Sequence, residues 1–217
     1  VKHGDIIITA HQPAGIFYGI QTLLQMLPPE IKNSQKQKGI DWTVPCTDIT
    51  DKPQFAWRGL MLDVSRHWFT KEEIKKYIDE LAEYKMNVFH WHLTDDQGWR
   101  LEIKSLPRLT EVGAWRAPRV GQWWQRAPQQ PGEETTYGGF YTQEDVKEVL
   151  AYAAERYVRV IPEIDVPGHS LAALVVYPDL ACMKAPSAVG VGNKFYGEDE
   201  THFVSAKMPL SSLWTRS

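Results

Sequence analysis

The stretch VFHWHLTDDQGWR, from Val88 to Arg100, is an apolar run that ends abruptly in polar side chains. Its first part has the apolar character of a buried strand, and it closes with the adjacent acids Asp95 and Asp96. A strand that only fills a core has no need of histidines and carboxylates at its end. The stretch therefore predicts a buried strand that delivers functional side chains to one edge of a sheet.

Two other runs repeat this pattern, and amphipathic helices separate them. RGLMLDVS (Arg58–Ser65) and VRVIPEIDVPGH (Val158–His169) are apolar first and polar at their C-terminal ends. Thr70–Lys85 and Thr142–Tyr157 each begin with a threonine N-cap followed by apolar residues at helical spacing. The alternation predicts a parallel sheet with helices outside it, either doubly wound or a barrel.

The polar ends of the three strands meet at one rim, because parallel strands share their C-terminal edge. In (β/α)₈ barrels this rim holds the active site. The candidate site residues are Arg66, Asp95, Glu163, Asp165 and His169.

The histidines and the arginine have more than one interpretation. His90 and His92 lie two apart and share a strand face, so they are candidates for a metal site; the alternative, which we favour, is that they hydrogen-bond carboxylates. Arg66 is either a clamp for hydroxyls or a carboxylate of a ligand, or the partner of Asp63 or Asp95 in an ion pair.

The acids at the rim are expected to play different parts. The side chains of Asp95 and Asp96 should diverge, one towards the site and one capping a loop. Glu163 and Asp165 share a strand face and should be oriented by nearby His or Arg. Most of the tryptophans are expected to fill core and loops, with some offering flat faces to a sugar ring; they are Trp68, Trp91, Trp99, Trp115, Trp123 and Trp124.

The whole-chain composition limits the classes of partner. The 217 residues carry a formal net charge of −3, which gives no electrostatic support for a nucleic acid or an anionic membrane. No stretch is long and apolar enough to span a bilayer. Cys46 and Cys182 are expected to be free, buried thiols.

We divide the chain into residues 1–50, the last part of a small α/β unit, and residues 54–217. Near the N-terminus we expect a short buried strand at Asp5–Ala10, a helix that begins at Ala14 and stops before Pro28, and a short strand with a linker at Trp42–Pro53.

Four ordered segments resemble the glycoside hydrolase family 20 β-N-acetylhexosaminidases. They are GIFYGIQTLLQML, WRGLMLDVSRHWF, MNVFHWHLTDDQGWRLEIKSLPRLTEVGAWR and GGFYTQEDVKEVLAYAAERYVRVIPEIDVPGHSLAALVVYPDL. The resemblance covers about residues 13 to 200. It implies the first part of a (β/α)₈ TIM barrel, preceded by the tail of a small α/β domain.

The resemblance also implies the roles of particular residues. Arg66 matches an arginine that binds hydroxyls of the terminal sugar, and Asp95 matches a carboxylate near that sugar. His169 matches a histidine close to the catalytic acid, with Asp165 as a buried supporting acid and Glu163 in the same network. The family needs no metal or other cofactor, and its members are periplasmic or secreted.

The family acts on terminal β-linked N-acetylhexosamine, and the substrate's acetamido oxygen serves as the nucleophile. Its acid pair lies in a His-x-Gly-Gly-Asp-Glu motif, which this chain does not contain. YGEDE (Tyr196–Glu200) follows no strand-like run, so we interpret it as a solvated loop. The tail Thr201–Ser217 has neither helical nor strand periodicity, and we expect a reading-frame shift close to Thr201.

Three hypotheses about function follow. The first is an N-acetylhexosaminidase present as a fragment that is inactive alone. The second is a metal-dependent barrel hydrolase that uses His90 and His92. The third is a non-catalytic remnant that binds a hexosamine-bearing glycan.

Overall fold

A computed structural model of the chain describes residues 4–121, 127–181 and 188–191. In chain order the elements are α1 (Pro13–Met26), a 3-10 turn (Pro29–Lys32), β1 (Gly59–Asp63), α2 (Lys71–Glu83), β2 (Val88–Asp95), β3 (Gly98–Trp99), α3 (Arg108–Glu111), β4 (Trp115–Arg116), β5 (Tyr137–Gly138), α4 (Gln143–Ala154), β6 (Arg159–Ile164), α5 (Leu171–Val176) and a 3-10 turn (Pro178–Leu180).

The three predicted strands form one parallel arrangement. β2 is central: β1 pairs with it in parallel on one side and β6 in parallel on the other. Asp63 stands opposite His92 across β1 and β2, and Glu163 stands opposite the same histidine across β2 and β6. All three strands therefore end at one rim, as the sequence predicted.

Helices α2 and α4 lie between these strands in the chain and cover the outer face of the sheet. Both begin with a capping box, Thr70 with Glu73 in α2 and Thr142 with Asp145 in α4. Each box satisfies main-chain N–H groups that a helix start leaves without partners, and losing such a cap costs about 1 kcal/mol.

The core lies between the helices and one face of β2. Phe89, Trp91 and Leu93 alternate along β2 and are 0 %, 0 % and 1 % exposed, because they pack against Ile74 and Ile78 of α2. Burying a side chain of this size contributes about 1.5–3 kcal/mol. The alternation leaves His90 and His92 on the opposite face of the strand.

The N-terminal part departs from the expected strands. Residues 5–10 and 42–53 form no strand, and Ile6 and Ile7 are largely exposed, because no strand in the described ranges pairs with them. Helix α1 is confirmed and ends before Pro28. Cys46 is free as expected but exposed rather than buried, whereas Cys182 lies outside the described residues.

None of the helices in the described ranges combines the length and the apolar character needed to cross a bilayer.

Candidate active site

The polar rim is centred on Arg66, which lies just beyond β1. Its Nη1 donates to Oδ2 of Asp63 at 2.8 Å, its Nη2 lies 2.7 Å from Oδ2 of Asp95, and its Nε donates to Oε1 of Gln97 at 3.0 Å. Both of the ion pairs considered from the sequence are therefore present. Three acceptors, at the ends of β1 and β2 and in the turn after β2, hold the guanidinium in one orientation, so little side-chain entropy remains to be lost when a ligand binds.

Asp95 is the most enclosed acid of the rim, with a side chain only 1 % exposed. Besides Arg66, its Oδ2 lies 2.8 Å from Nε2 of His92, and its Oδ1 accepts from the main-chain N–H of Asp96 at 2.7 Å. The same Oδ1 lies 3.2 Å from Nδ1 of His169. A buried carboxylate is tolerated only with such a set of donors.

Both ring nitrogens of His92 face carboxylates, since Nδ1 lies 2.7 Å from Oε2 of Glu163 and Nε2 faces Asp95. An ionised carboxylate only accepts, so each nitrogen carries a proton. Burial lowers the pKa of His92, but its hydrogen bonds to Asp95 and Glu163 outweigh burial and raise the pKa to about 9. His92 is therefore a cation at neutral pH, and a metal would have to displace a proton from it in order to bind.

His90 shares the same carboxylate, with its Nε2 2.6 Å from Oε2 of Glu163. Burial raises the pKa of Glu163, but the hydrogen bonds from His92 and His90 lower it by a larger amount. The pKa of Glu163 is therefore below its ordinary value. The geometry thus favours the interpretation in which His90 and His92 hydrogen-bond a carboxylate over the one in which they hold a metal.

Asp96 diverges from Asp95 only in part, because one of its oxygens binds the start of α5 while the other faces the same histidine nitrogen as Asp95. Its Oδ1 accepts from the main-chain N–H of Leu171 at 3.1 Å, at the start of α5, and its Oδ2 lies 3.6 Å from Nδ1 of His169. His169 has a φ of +52°, a conformation that few residues other than glycine adopt. This backbone position turns its ring towards the two acids.

Asp95, Asp96 and His169 also have ligand atoms within 4.8 Å of one another, a spacing that a metal ion accepts. Arg66 already lies 2.7 Å from Oδ2 of Asp95 and supplies a positive charge there. The buried carboxylate of the cluster thus already has a cationic partner within the protein.

Asp165 lies one residue beyond β6 and differs from what was predicted. Its main-chain N–H donates to Oγ1 of Thr94 at 2.9 Å, but no His or Arg of the described residues holds its carboxylate. Glu163, by contrast, is oriented by histidines as expected. Asp165 lies beyond the last residue of β6, and the pairing of β6 with β2 is already irregular between His92 and Thr94.

Four of the six tryptophans named from the sequence lie in the described residues, and these four pack within the protein. Trp91 and Trp99 are buried, Trp115 donates to the carbonyl of Thr110 at 3.1 Å, and Trp68 lies against Tyr141 with ring centroids 4.6 Å apart. Trp123 and Trp124 lie outside the described residues, as do YGEDE and the tail.

Two residues that hold the rim were not singled out from the sequence. Gln97 orients Arg66, and Arg100 is fully buried among main-chain carbonyls. Burial lowers the pKa of Arg100 to about 10, so it remains charged at neutral pH. A glutamine and an arginine just after a strand carry no periodic signal, but the adjacency of Gln97 to Asp95 and Asp96 could have directed attention to it.

A cavity of about 500 Å³ lies away from the rim, between α1 and the outer helices α2 and α4. Its lining includes Phe17, Leu24 and Ala82. The acids and histidines of the rim do not line this cavity, so the rim is the better candidate for an active site.

Two family models match the sequence of this chain. The family model described as "Glycosyl hydrolase family 20, catalytic domain" matches residues 55–209, and the model for domain 2 of the same family matches residues 1–52. The resemblance therefore extends beyond the predicted range of about residues 13 to 200 at both ends.

Relatives and solved structures agree with this match. A beta-hexosaminidase of Porphyromonas gingivalis is 52 % identical over 183 residues, which are 83 % of this chain and 21 % of the relative. A beta-N-acetylhexosaminidase of Cellulomonas fimi is 40 % identical over 88 % of this chain and 34 % of its own length. The chain thus spans between about a fifth and a third of these relatives.

The fold class is confirmed by the structure of the Streptomyces plicatus N-acetyl-beta-hexosaminidase in complex with Thio-NAglucal. It superposes with a TM-score of 0.73 at 45 % identity, over 86 % of this chain and 34 % of that one. The strands β1, β2 and β6 are the beginning of a (β/α)₈ barrel, and the family match over residues 55–209 shows that the chain belongs to glycosyl hydrolase family 20.

Proposed function

We propose that the protein to which this chain belongs hydrolyses terminal, non-reducing β-linked N-acetylhexosamine from glycans. The observation that carries the proposal is Arg66, held at the rim by Asp63, Asp95 and Gln97. A guanidinium oriented in this way presents its remaining N–H groups to sugar hydroxyls. A solved Vibrio harveyi relative, which is 43 % identical to this chain, is in complex with N-acetylglucosamine.

The proposed reaction is substrate-assisted and retaining. The acetamido oxygen of the substrate attacks the anomeric carbon, the bond to the leaving oxygen breaks, and a glutamic acid donates a proton to that oxygen. An aspartate next to that glutamate orients the acetamide and stabilises the positive charge that develops. In this chain Arg66 and Asp95 would hold the sugar, and His169 would lie near the general acid.

The acid pair is the part that the chain does not supply, since no Gly-Gly-Asp-Glu occurs among its 217 residues. We therefore propose that the polypeptide alone does not turn over substrate. Binding of a hexosamine without turnover is the second candidate for the isolated polypeptide, and the same missing motif favours it.

The test uses an enzyme in which residues 1–191 are followed by the matching downstream part of the Porphyromonas gingivalis beta-hexosaminidase. We call it the completed enzyme. It should hydrolyse an aryl N-acetyl-β-glucosaminide and release the β-anomer first, which NMR of the fresh product detects. An aryl β-glucoside, which lacks the acetamido group, is the matched control and should not react. Release of the α-anomer, or equal rates on both substrates, would contradict the proposed mechanism.

A further inference from the structure

Arg100 has an unusual environment for a buried cation. It is 0 % exposed, and within the described residues its hydrogen bonds all go to main-chain carbonyls. The acceptors are Val64 (3.1 Å, from Nε), Ser65 (2.7 Å, from Nη2), Gln97 (3.3 Å, from Nη2), Gly139 (3.2 Å, from Nη1) and Ala114 (from Nη1).

A buried guanidinium bound in this way is an expensive means of gaining stability. Removing a cation from water costs several kcal/mol, and apolar residues of similar volume often stabilise a core as well or better. The five hydrogen bonds instead fix the relative positions of the four chain segments that carry these carbonyls. These are the loop after β1, the β2–β3 turn, the loop before β4 and the loop after β5.

Two of these segments are the ones that orient Arg66. Val64 and Ser65 immediately precede it in the chain, and Gln97 provides the Oε1 atom that accepts from its Nε at 3.0 Å. The packing is close: a Cβ atom on Gly98 would fall 2.3 Å from Cζ of Arg100. Any shift of the Arg100 guanidinium therefore reaches both the backbone and the side-chain contacts of Arg66.

We propose that Arg100 is a positioning residue that sets the orientation of the Arg66 guanidinium for the terminal sugar. The inference rests on the proposed function, because it assumes that Arg66 binds sugar hydroxyls. Arg100 touches no substrate and acts through the carbonyls on either side of the site.

The test is a double-mutant cycle in the completed enzyme with Arg100→Lys and Arg66→Ala, measured on an aryl N-acetyl-β-glucosaminide. Lysine keeps the charge, but its three donors sit on one nitrogen and cannot reproduce the spread of the planar, five-donor guanidinium. We expect Arg100→Lys to raise KM about tenfold with a smaller change in kcat, since a misplaced positioning group weakens sugar binding. In the Arg66→Ala background the same change should alter KM by less than about twofold.

A control separates positioning from general destabilisation. Arg156 joins Asp79 of α2 to Tyr152 of α4 on the outer side of the sheet. Arg156→Lys should lower Tm but leave KM unchanged. Should Arg100→Lys not fold, Gly98→Ala displaces the same guanidinium and is carried through the same cycle.

The outcomes distinguish the two proposals. The positioning role alone is wrong if Arg100→Lys leaves KM unchanged. It is also wrong if the KM increase of the double variant equals the product of the two single-variant increases. If Arg66→Ala leaves KM unchanged, the sugar-binding role of Arg66 is wrong and the positioning proposal falls with it.

Discussion

The Nη2 atom of Arg66 lies 2.7 Å from Oδ2 of Asp95, a carboxylate that is almost completely buried. This pair joins the loop after β1 to the end of β2. Removing one partner of a buried ion pair costs about 3–5 kcal/mol, because the other charge is left without compensation. The pair is thus both the link between two strand ends and the part of the rim that we expect to bind sugar.

Replacing Arg66 should weaken sugar binding. In the completed enzyme, Arg66→Ala removes a charged donor to the ligand, which costs about 1.5–3 kcal/mol, and KM should rise by about tenfold or more. Steady-state kinetics on an aryl N-acetyl-β-glucosaminide measures this. If KM and kcat both match those of the unmodified enzyme, Arg66 does not bind the substrate.

His169 should influence the ionisation of the general acid. Its Nδ1 lies 3.2 Å from Oδ1 of Asp95, which fixes the ring at the rim. A histidine near an acid changes that acid's pKa, so His169→Ala should displace one limb of the pH–rate profile. His169→Asn is the matched control, because asparagine removes the imidazole but also tolerates the positive φ of this position. A profile lowered in height but unchanged in shape would argue against this role.

The charge on His92 should make stability depend on pH. Its folded pKa of about 9 lies above the unfolded value of 6.5, so the stabilisation is complete below about pH 6.5 and is lost as the pH rises through about 9. We expect Tm of the completed enzyme to fall over this window, whereas His92→Gln should flatten that part of the curve. Curves of the two proteins that run parallel from pH 6 to about pH 10 would rule this out.

The cap of α4 offers a test of stability remote from the rim. Oγ1 of Thr142 accepts from the main-chain N–H of Asp145 at 3.0 Å, and Oδ2 of Asp145 accepts from the main-chain N–H of Thr142 at 3.0 Å. Thr142→Ala should lower the free energy of unfolding by about 1 kcal/mol and leave KM unchanged, whereas Thr142→Ser should restore the cap. Equal losses in both variants, measured by urea denaturation, would show that the hydroxyl cap is not responsible.

The sequence predicted those features that repeat along the chain. The capping box of Thr70 and the apolar spacing of Ile74 and Ile78 are local, so α2 could be assigned from them, and the apolar run to Asp95 likewise indicated β2. Residues 5–10 have the composition of a strand, but a strand exists only where a partner strand pairs with it. Local pattern carries no information about that partner.

The contacts within the rim depend on the fold and could be predicted only in part. The choice of Arg66 and Asp95 followed from their places at strand ends and from the family motifs. The role of Arg100 depends on carbonyls up to 39 residues away along the chain, and no spacing in the sequence brings these together. Likewise, Asp165 lies just beyond the end of β6, where the pairing with β2 is already irregular, so alternation along the strand did not predict its contacts.

The most direct test of the central claim compares the 217-residue polypeptide with the completed enzyme on an aryl N-acetyl-β-glucosaminide under the same conditions. The claim is that the chain provides the sugar-holding part of a family 20 site and needs an acid pair from outside it. We predict turnover by the completed enzyme and, for the 217-residue polypeptide, a rate equal to that of buffer. Turnover by a purified, monodisperse 217-residue polypeptide above the buffer rate would contradict the claim, and so would a folded completed enzyme without activity.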